Sequence, residues 1–471
     1  MVVEAAAPSA AIGNSQYFWW ILMLIAFFLP YGMVSAELGT TYQGEGGLFD
    51  WIKRAFGNRW GSRVAWYYWI NFALWMASLA VLAVSVIEQA FDTEIPQSIA
   101  LPVQLAFIWI VSYLSNHSVS ESALLINIAT AFKIIIMVAL GGLGIYFAIT
   151  RGVANPVTSA ADLLPGAAGI SFIAIVIFNF LGFEVVTTFA GEMDNPKKQI
   201  PKALLVGGAL VAFFYLFAAF GIGVAVPADE IDPESGLLDT FGLFAEGWSI
   251  ASVVLIVAGL MFLFTLVINL LAWALGVNYV AMYAADNGAL PKVFGKRKKG
   301  TDDVPFGASM VNGVVASVLV VLAPMITEIS GDEDMFWKFF ALQIITLLAS
   351  YLLMFPAFRK LRRIDPDVER PYKMPGGPAV LNLATWIPMG LLALSVFFCL
   401  AYPDDTQPHG WFIDWTLIAG TAVAVLAGEI IAFQAGRMPM AAALSTETTS
   451  GTGATPSVRQ VPTQQTKESQ S

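Results

Sequence analysis

Apolar stretches long enough to cross a bilayer recur along the chain, at about 17–37, 64–90, 98–115, 119–149, 167–190, 203–226, 249–283, 305–327, 335–357, 378–401 and 412–434. Each is close to the roughly 20 apolar residues that a helix needs to span hydrocarbon. Eleven such spans predict an all-α polytopic membrane protein whose transmembrane domain covers residues 17–434. Residues 1–16 carry neither the basic start nor the apolar core of a signal peptide and read as an extracytoplasmic remnant. Residues 435–471 are rich in Ser, Thr, Gln, Gly and Pro with no apolar face to bury, which predicts a disordered cytoplasmic tail.

Composition sharpens this: with 57% hydrophobic and only 12% charged residues, the chain does not make a soluble globule. The position of the charges is more informative than their sum. Basic residues cluster in the loops after the first, fifth, seventh and ninth spans, among them Lys53, Lys197, Lys296 and Arg362. The opposite loops hold Asp92, Glu94, Asp229, Glu234 and Asp334. By the positive-inside rule the basic loops and the C-terminus are cytoplasmic and the N-terminus lies outside.

The fifth span is poor material for a passive helix. Its run Phe178-Asn179-Phe180-Leu181-Gly182-Phe183-Glu184 places an amide, a glycine and a carboxylate at mid-depth. In lipid an interrupted helix is tolerated only where protein or a water-filled cavity satisfies the freed backbone. The same residues also fit an ordinary helix packed through its glycine, with Glu184 hydrogen-bonded inside a bundle. Lys133 is the only basic residue deep inside a span, so it must pair, give up its proton or touch water. Asn71, Thr265, Asn269, Gln343 and Ser350 are further polar groups within spans, for which interhelical hydrogen bonds are the commoner role. At the cytoplasmic end of the first span Glu37 can pair with basic loop residues, and the glycine-rich turn after it lets the amphipathic piece 48–56 lie in the interface. His117 and His409 fall in loops and Cys399 has no partner in sequence; no catalytic residue, metal, cofactor or nucleic-acid partner is expected.

Several of these motifs, in this order, resemble the amino acid–polyamine–organocation (APC) superfamily. They are Pro30 and Ala36-Glu37-Leu38-Gly39 with Gly44-Glu45-Gly46-Gly47, then Gly182-Phe183-Glu184 with Asn195-Pro196-Lys197-Lys198, then Asn287-Gly288-Ala289-Leu290-Pro291. The stretch Arg370-Pro371-Tyr372-Lys373-Met374-Pro375-Gly376-Gly377 and the Trp273 region look most like its glutamate:GABA antiporter branch. The resemblance implies a five-plus-five inverted-repeat transporter fold plus two helices, with substrate at mid-membrane between broken helices. It further implies that residues 10–37 correspond to the family's second helix and the loop before it, so that the first helix is lacking; a start assigned too far downstream is the expected reason.

On this resemblance Phe178 is an outer lid over the substrate, and Asn179, Phe180, Leu181 and Gly182 are an unwound section whose carbonyls receive a substrate ammonium. Trp273 either lines the substrate or packs between helices. Glu184 becomes a structural acid tying the broken helix to a neighbour, and Lys133 either couples transport to protons or braces the fold. The implied function is secondary active transport of amino acids across the plasma membrane by alternating access, with protons or a counter-transported amino acid as partner. The competing reading is a non-transporting membrane subunit or sensor that keeps the scaffold. Asn278 stands where the antiporter branch has a basic residue, which weakens a glutamate-specific reading.

Overall fold

The computed structural model describes residues 2–42, 46–116, 119–166, 170–182, 195–298, 304–331, 333–404 and 406–435. Glu184 and the tail beyond residue 435 lie outside the described residues. In chain order the helices are α1 (Gly13–Thr41), the short α2 (Leu48–Phe56), α3 (Asn58–Phe91), α4 (Gln97–Leu114), α5 (Val119–Arg151), the short α6 (Ile173–Phe180), α7 (Pro196–Ala225), the short α8 (Gly236–Ala245), α9 (Ala251–Asp286), α10 (Phe306–Ser330), α11 (Met335–Ile364), α12 (Pro378–Leu400) and α13 (Trp415–Ala435). Strands Ala401–Pro403 and Trp411–Ile413 form a small antiparallel hairpin joining α12 to α13.

Among the described residues, ten helices are long and apolar enough to cross a membrane. They correspond to ten of the eleven apolar stretches in the sequence. The exception is 167–190, where α6 stops inside the apolar run. Helix α3 is the hub: it is buried along most of its length and packs against α9, α11, α4, α10 and α13. The outward faces carry exposed Ile135, Leu205, Leu260, Val314 and Ile430, side chains suited to lipid rather than water.

Lipid is as apolar as a leucine side chain, so helices here associate through close packing more than through escape from solvent. Gly144 on α5 and Gly221 on α7 show how close. A Cβ at Gly221 would sit 2.1 Å from the Leu140 carbonyl oxygen, and one at Gly144 would sit 2.5 Å from the Gly221 Cα. Only the missing side chains let these two helices touch.

The segment before α1, expected as an extracytoplasmic remnant, packs into the bundle. Val3–Ala5 and Ala6–Ala10 form helical turns, and Val3, Glu4, Ala5 and Ala6 are buried against α5, α6, α7 and α9. The Tyr215 hydroxyl on α7 donates to the Val2 carbonyl at 3.0 Å and accepts the Val2 N–H, which pins this segment inside the bundle.

At one end of the bundle Glu37, only 2% exposed, collects four donors. Arg362 Nε approaches its Oε1 at 2.7 Å, Arg362 Nη2 reaches Oε2, Arg370 Nε lies 3.3 Å from Oε1, and the Met374 N–H donates to Oε2 at 2.7 Å. The pairing of Glu37 with basic loop residues is thus met, and it fastens α1 to the end of α11 and the chain beyond it. Helix α2 occupies the expected 48–56 range and buries Leu48, Phe49, Trp51, Ile52 and Ala55.

At the other end, Glu234 in the loop between α7 and α8 accepts a hydrogen bond from Ser85 on α3. Burial pushes its carboxyl up to about 7; the Ser85 hydrogen bond opposes this, while Asp334, Asp232 and Glu88 add to the rise. An acid raised by docking binds its proton more tightly docked than free. Docking is therefore fully favoured below the free-acid value, weakens as pH climbs towards about 7 and is constant above that.

Two predictions follow from these ends. Glu37→Ala leaves two guanidinium groups in a mostly buried site without their carboxylate and should lower stability by about 3–5 kcal/mol, read as a fall in melting temperature in detergent; a change below about 1 kcal/mol would show the cluster to be solvated like a surface pair. Hydrogen-exchange protection of residues 228–245, corrected for intrinsic rates, should decline several-fold between about pH 5 and 7 and become flat in Glu234→Gln.

Candidate functional site

The centre of the molecule is the point where α6 ends. The Leu181 N–H donates to the Phe178 carbonyl at 3.1 Å, closing the last turn. Leu181 is then extended, with φ −75° and ψ 162°. Gly182 follows at φ +94°, a conformation that glycine adopts without steric cost, and its N–H donates to the Tyr31 hydroxyl on α1 at 3.2 Å.

The break lies where a glycine was expected to make it, but it begins two residues later than the resemblance implied. Asn179 and Phe180 remain helical. Rings on opposite sides hold that last turn. Phe178 meets Trp75 edge-on at 5.7 Å and Phe340 at 5.8 Å, whereas Phe180 sits against Trp20 at 5.2 Å and Phe28 at 5.0 Å. Residues two apart on a helix point to opposite faces. Phe178 therefore joins the centre of the bundle, and Phe180 packs against α1 away from it.

Trp273 on α9 completes the enclosure, with its ring 5.6 Å from Trp75 and at 82° to it. A Cβ at Gly182 would lie 3.5 Å from the Trp273 ring, so the break faces this indole directly. Polar atoms are left over beside the rings. Asn179 Oδ1 and Nδ2, Trp75 Nε1 and both side-chain polar atoms of Gln343 are buried with no hydrogen-bond partner. Gln343 lies three residues beyond Phe340 on α11 and shares its face. An unmet buried polar group costs about 1–3 kcal/mol, so a cluster of them marks where a ligand or water completes the structure.

One helical turn from Trp273, and on the same face of α9, stands Asn269. Lys133 Nζ donates to Asn269 Oδ1 at 2.7 Å, and Asn269 Nδ2 donates to Glu4 Oε1 at 3.3 Å. Lys133 is half-buried, whereas Glu4 and Asn269 are 3% and 4% exposed. The structure thus brings Phe178, Asn179, Leu181 and Gly182 together at the end of α6 with Trp273 facing the break, places Lys133 on Asn269 one turn of α9 from Trp273, and turns the Phe180 ring away.

Sequence reasoning missed Glu4, Trp75 and Phe340. Glu4 carried a signal, being the only charged side chain before Glu37. The two aromatics carried none, since rings are frequent in every span. Of the other polar groups, Thr265 and Ser350 donate to carbonyls of their own helices, Phe262 at 2.8 Å and Leu347 at 2.6 Å. Asn278 accepts from Asn312 Nδ2 at 2.6 Å, an amide pair joining α9 to α10.

Comparison with known proteins agrees with this architecture. Residues 2–424 match a family described as amino acid permease. A probable agmatine/putrescine antiporter of Lactococcus lactis subsp. lactis is 45% identical over 435 residues, covering 91% of each chain. A glutamate/gamma-aminobutyrate antiporter of the same organism is 22% identical, covering 82% of this chain and 78% of its own. The polyamine transporter RMV1 of Arabidopsis thaliana is 23% identical, covering 80% of this chain and 70% of its own.

Substitution at the break tests its role. A methyl at Gly182 meets Trp273 at an ordinary contact distance, so Gly182→Ala should cost mainly the left-handed backbone, about 1–2 kcal/mol. Gly182→Leu should in addition drive its branch into the indole and abolish the change in tryptophan fluorescence on substrate addition, with the protein still monodisperse in detergent. A wild-type fluorescence response in Gly182→Leu would remove the break from the site.

Proposed function

The chain belongs to the amino acid permease family, and from that premise we propose that it exchanges small organic amines, of the agmatine and putrescine kind, across the plasma membrane. It is a multi-pass membrane protein and a secondary active transporter of the amino acid permease and antiporter type. In the proposed orientation the basic loops and the C-terminus face the cytoplasm. No chemical reaction is assigned to it.

The observation that carries the amine reading is the enclosure at the end of α6. Trp75 meets both Phe178 and Trp273 beside the break, Asn179 next to Phe178 keeps both side-chain polar atoms unpartnered, and aromatic faces attract a cation with about 0.5–2 kcal/mol, more when water is excluded. The C-terminal end of α6, whose last-turn carbonyls carry the negative pole of the helix, adds partial negative charge beside Gly182. Asn278, paired with Asn312, supplies no positive charge for an acidic substrate. The similarity to the agmatine/putrescine antiporter points the same way. A sensor or non-transporting subunit is not favoured, because the antiporter relative spans 91% of this chain.

Exchange of radiolabelled putrescine and agmatine in proteoliposomes tests the reading. Saturable exchange is expected; exchange of zwitterionic amino acids with no uptake of either amine would overturn it.

Lys133 is the proposed coupling group. A desolvated lysine can give up its proton, whereas arginine stays charged under all ordinary conditions. Lys133→Arg should keep the fold but slow exchange and flatten its dependence on pH. Lys133→Ala should also flatten it, with a larger loss of stability, because Asn269 and Glu4 lose the neighbouring cation. Initial exchange rates between about pH 5 and 9 decide the matter: a parental profile in both variants would make Lys133 a brace.

A further inference from the structure

Glu4 brings a carboxyl group into the middle of a bundle that spans lipid, where such groups are costly and are retained for a purpose. Its surroundings are unusual for a structural acid. Glu37, the other deeply buried glutamate described above, is gripped directly by two arginines. Glu4 has no lysine or arginine within ion-pair distance among the described residues. Lys133, a cation acting on it from α5, is held off by the Asn269 amide, which takes the lysine on one side and the carboxylate on the other.

We infer that Glu4 is a substrate-recognition residue, the counter-charge for one end of a diamine whose other end lies in the Trp75–Phe178–Trp273 enclosure. The inference rests on the amine reading above and goes further by assigning the residue that holds the second ammonium of such a short dication.

Spacing supports it. Asn269, which touches Glu4, and Trp273, which lines the enclosure, are separated by one turn of α9, on the order of 5–6 Å along the axis. A four-carbon diamine bridges such a gap with an ammonium at each end. The acid therefore also acts against the wrong ligand. 4-Aminobutyrate has the length of putrescine with a carboxylate in place of one ammonium, and that carboxylate meets Glu4 as a like charge, so selectivity arises from repulsion as well as attraction.

The test measures exchange of radiolabelled putrescine by the purified full chain in liposomes, with 4-aminobutyrate as competitor. Glu4→Gln should raise the half-saturation concentration for putrescine at least tenfold and narrow the preference over 4-aminobutyrate by a similar factor; Glu4→Asp should recover part of both. A general structural defect would depress both ligands together and leave the preference unchanged, and that result overturns the inference. Absence of putrescine exchange by the parental protein would instead overturn the amine reading itself. On the unsubstituted protein, labelling of Glu4 by dicyclohexylcarbodiimide should be slowed several-fold by putrescine and not by 4-aminobutyrate. Equal labelling with either ligand also overturns the inference, whether or not Glu4→Gln folds.

Discussion

A helix that stops halfway through a bilayer releases backbone groups that lipid cannot satisfy, so every residue near the stop has to be arranged around them. In this protein the stop is at Leu181 and Gly182, and the surrounding elements meet the demand one at a time. The Leu181 N–H turns back onto Phe178, the Gly182 N–H finds the Tyr31 hydroxyl, and the Trp75 ring packs edge-on against Phe178 and Trp273 beside the break. Tyr31 is itself stacked on Phe27 at 5.6 Å and set against Tyr351 at 5.8 Å, so the hydroxyl is aimed by packing on α1 and α11. The unmet side-chain atoms of Asn179 then stand out against the met backbone N–H groups of Leu181 and Gly182.

The rest of the fold gives this interruption a rigid frame. Helix α3 runs through the centre and contributes Trp75 to the enclosure and Ser85 to the contact with Glu234. Close approach of α5 and α7 through Gly144 and Gly221 fixes the wall from which Lys133 projects. The Glu37 cluster binds α1, which carries Tyr31, to the far end of α11, which carries Phe340 and Gln343. On α1 this tie lies less than about two helical turns from the point where Tyr31 meets the break.

Much of this was legible in the sequence, because hydropathy over about 20 residues is a strong signal and an amide, a glycine and a carboxylate within six residues of an apolar run, Asn179 to Glu184, stand out. The spans, the break at Gly182, the α2 piece and the acid–base pairing of Glu37 were visible from local pattern. What was not visible depended on residues far apart in the chain. Asn179 and Phe180 stay helical because Trp20, Phe28, Trp75 and Phe340 grip the last turn, and no window of sequence contains those contacts. Phe180 was placed in the unwound section by resemblance, though it stays helical and the helix turns its ring to the face opposite Phe178. Glu4 was a lone acid among alanines, and its meaning appeared only when the fold placed it beside Asn269.

The relay from Lys133 to Glu4 has a fixed sense that follows from elementary chemistry. A lysine ammonium can only donate hydrogen bonds and an ionised carboxylate can only accept them, so the amide between them must turn its oxygen to Lys133 and its nitrogen to Glu4. Glutamine at position 269 would move both groups by a methylene; aspartate would turn an acceptor towards an acceptor. The arrangement also leaves the two charges hydrogen-bonded yet not locked in a direct pair, whose separation inside the membrane would cost several kcal/mol, roughly the penalty of exposing two ions to low dielectric. A carrier has to remake its central contacts in every cycle. Charges that meet through an amide can part and reunite more readily than charges in contact, and that property of Asn269 sets it apart from the arginine clamp on Glu37, which holds structure.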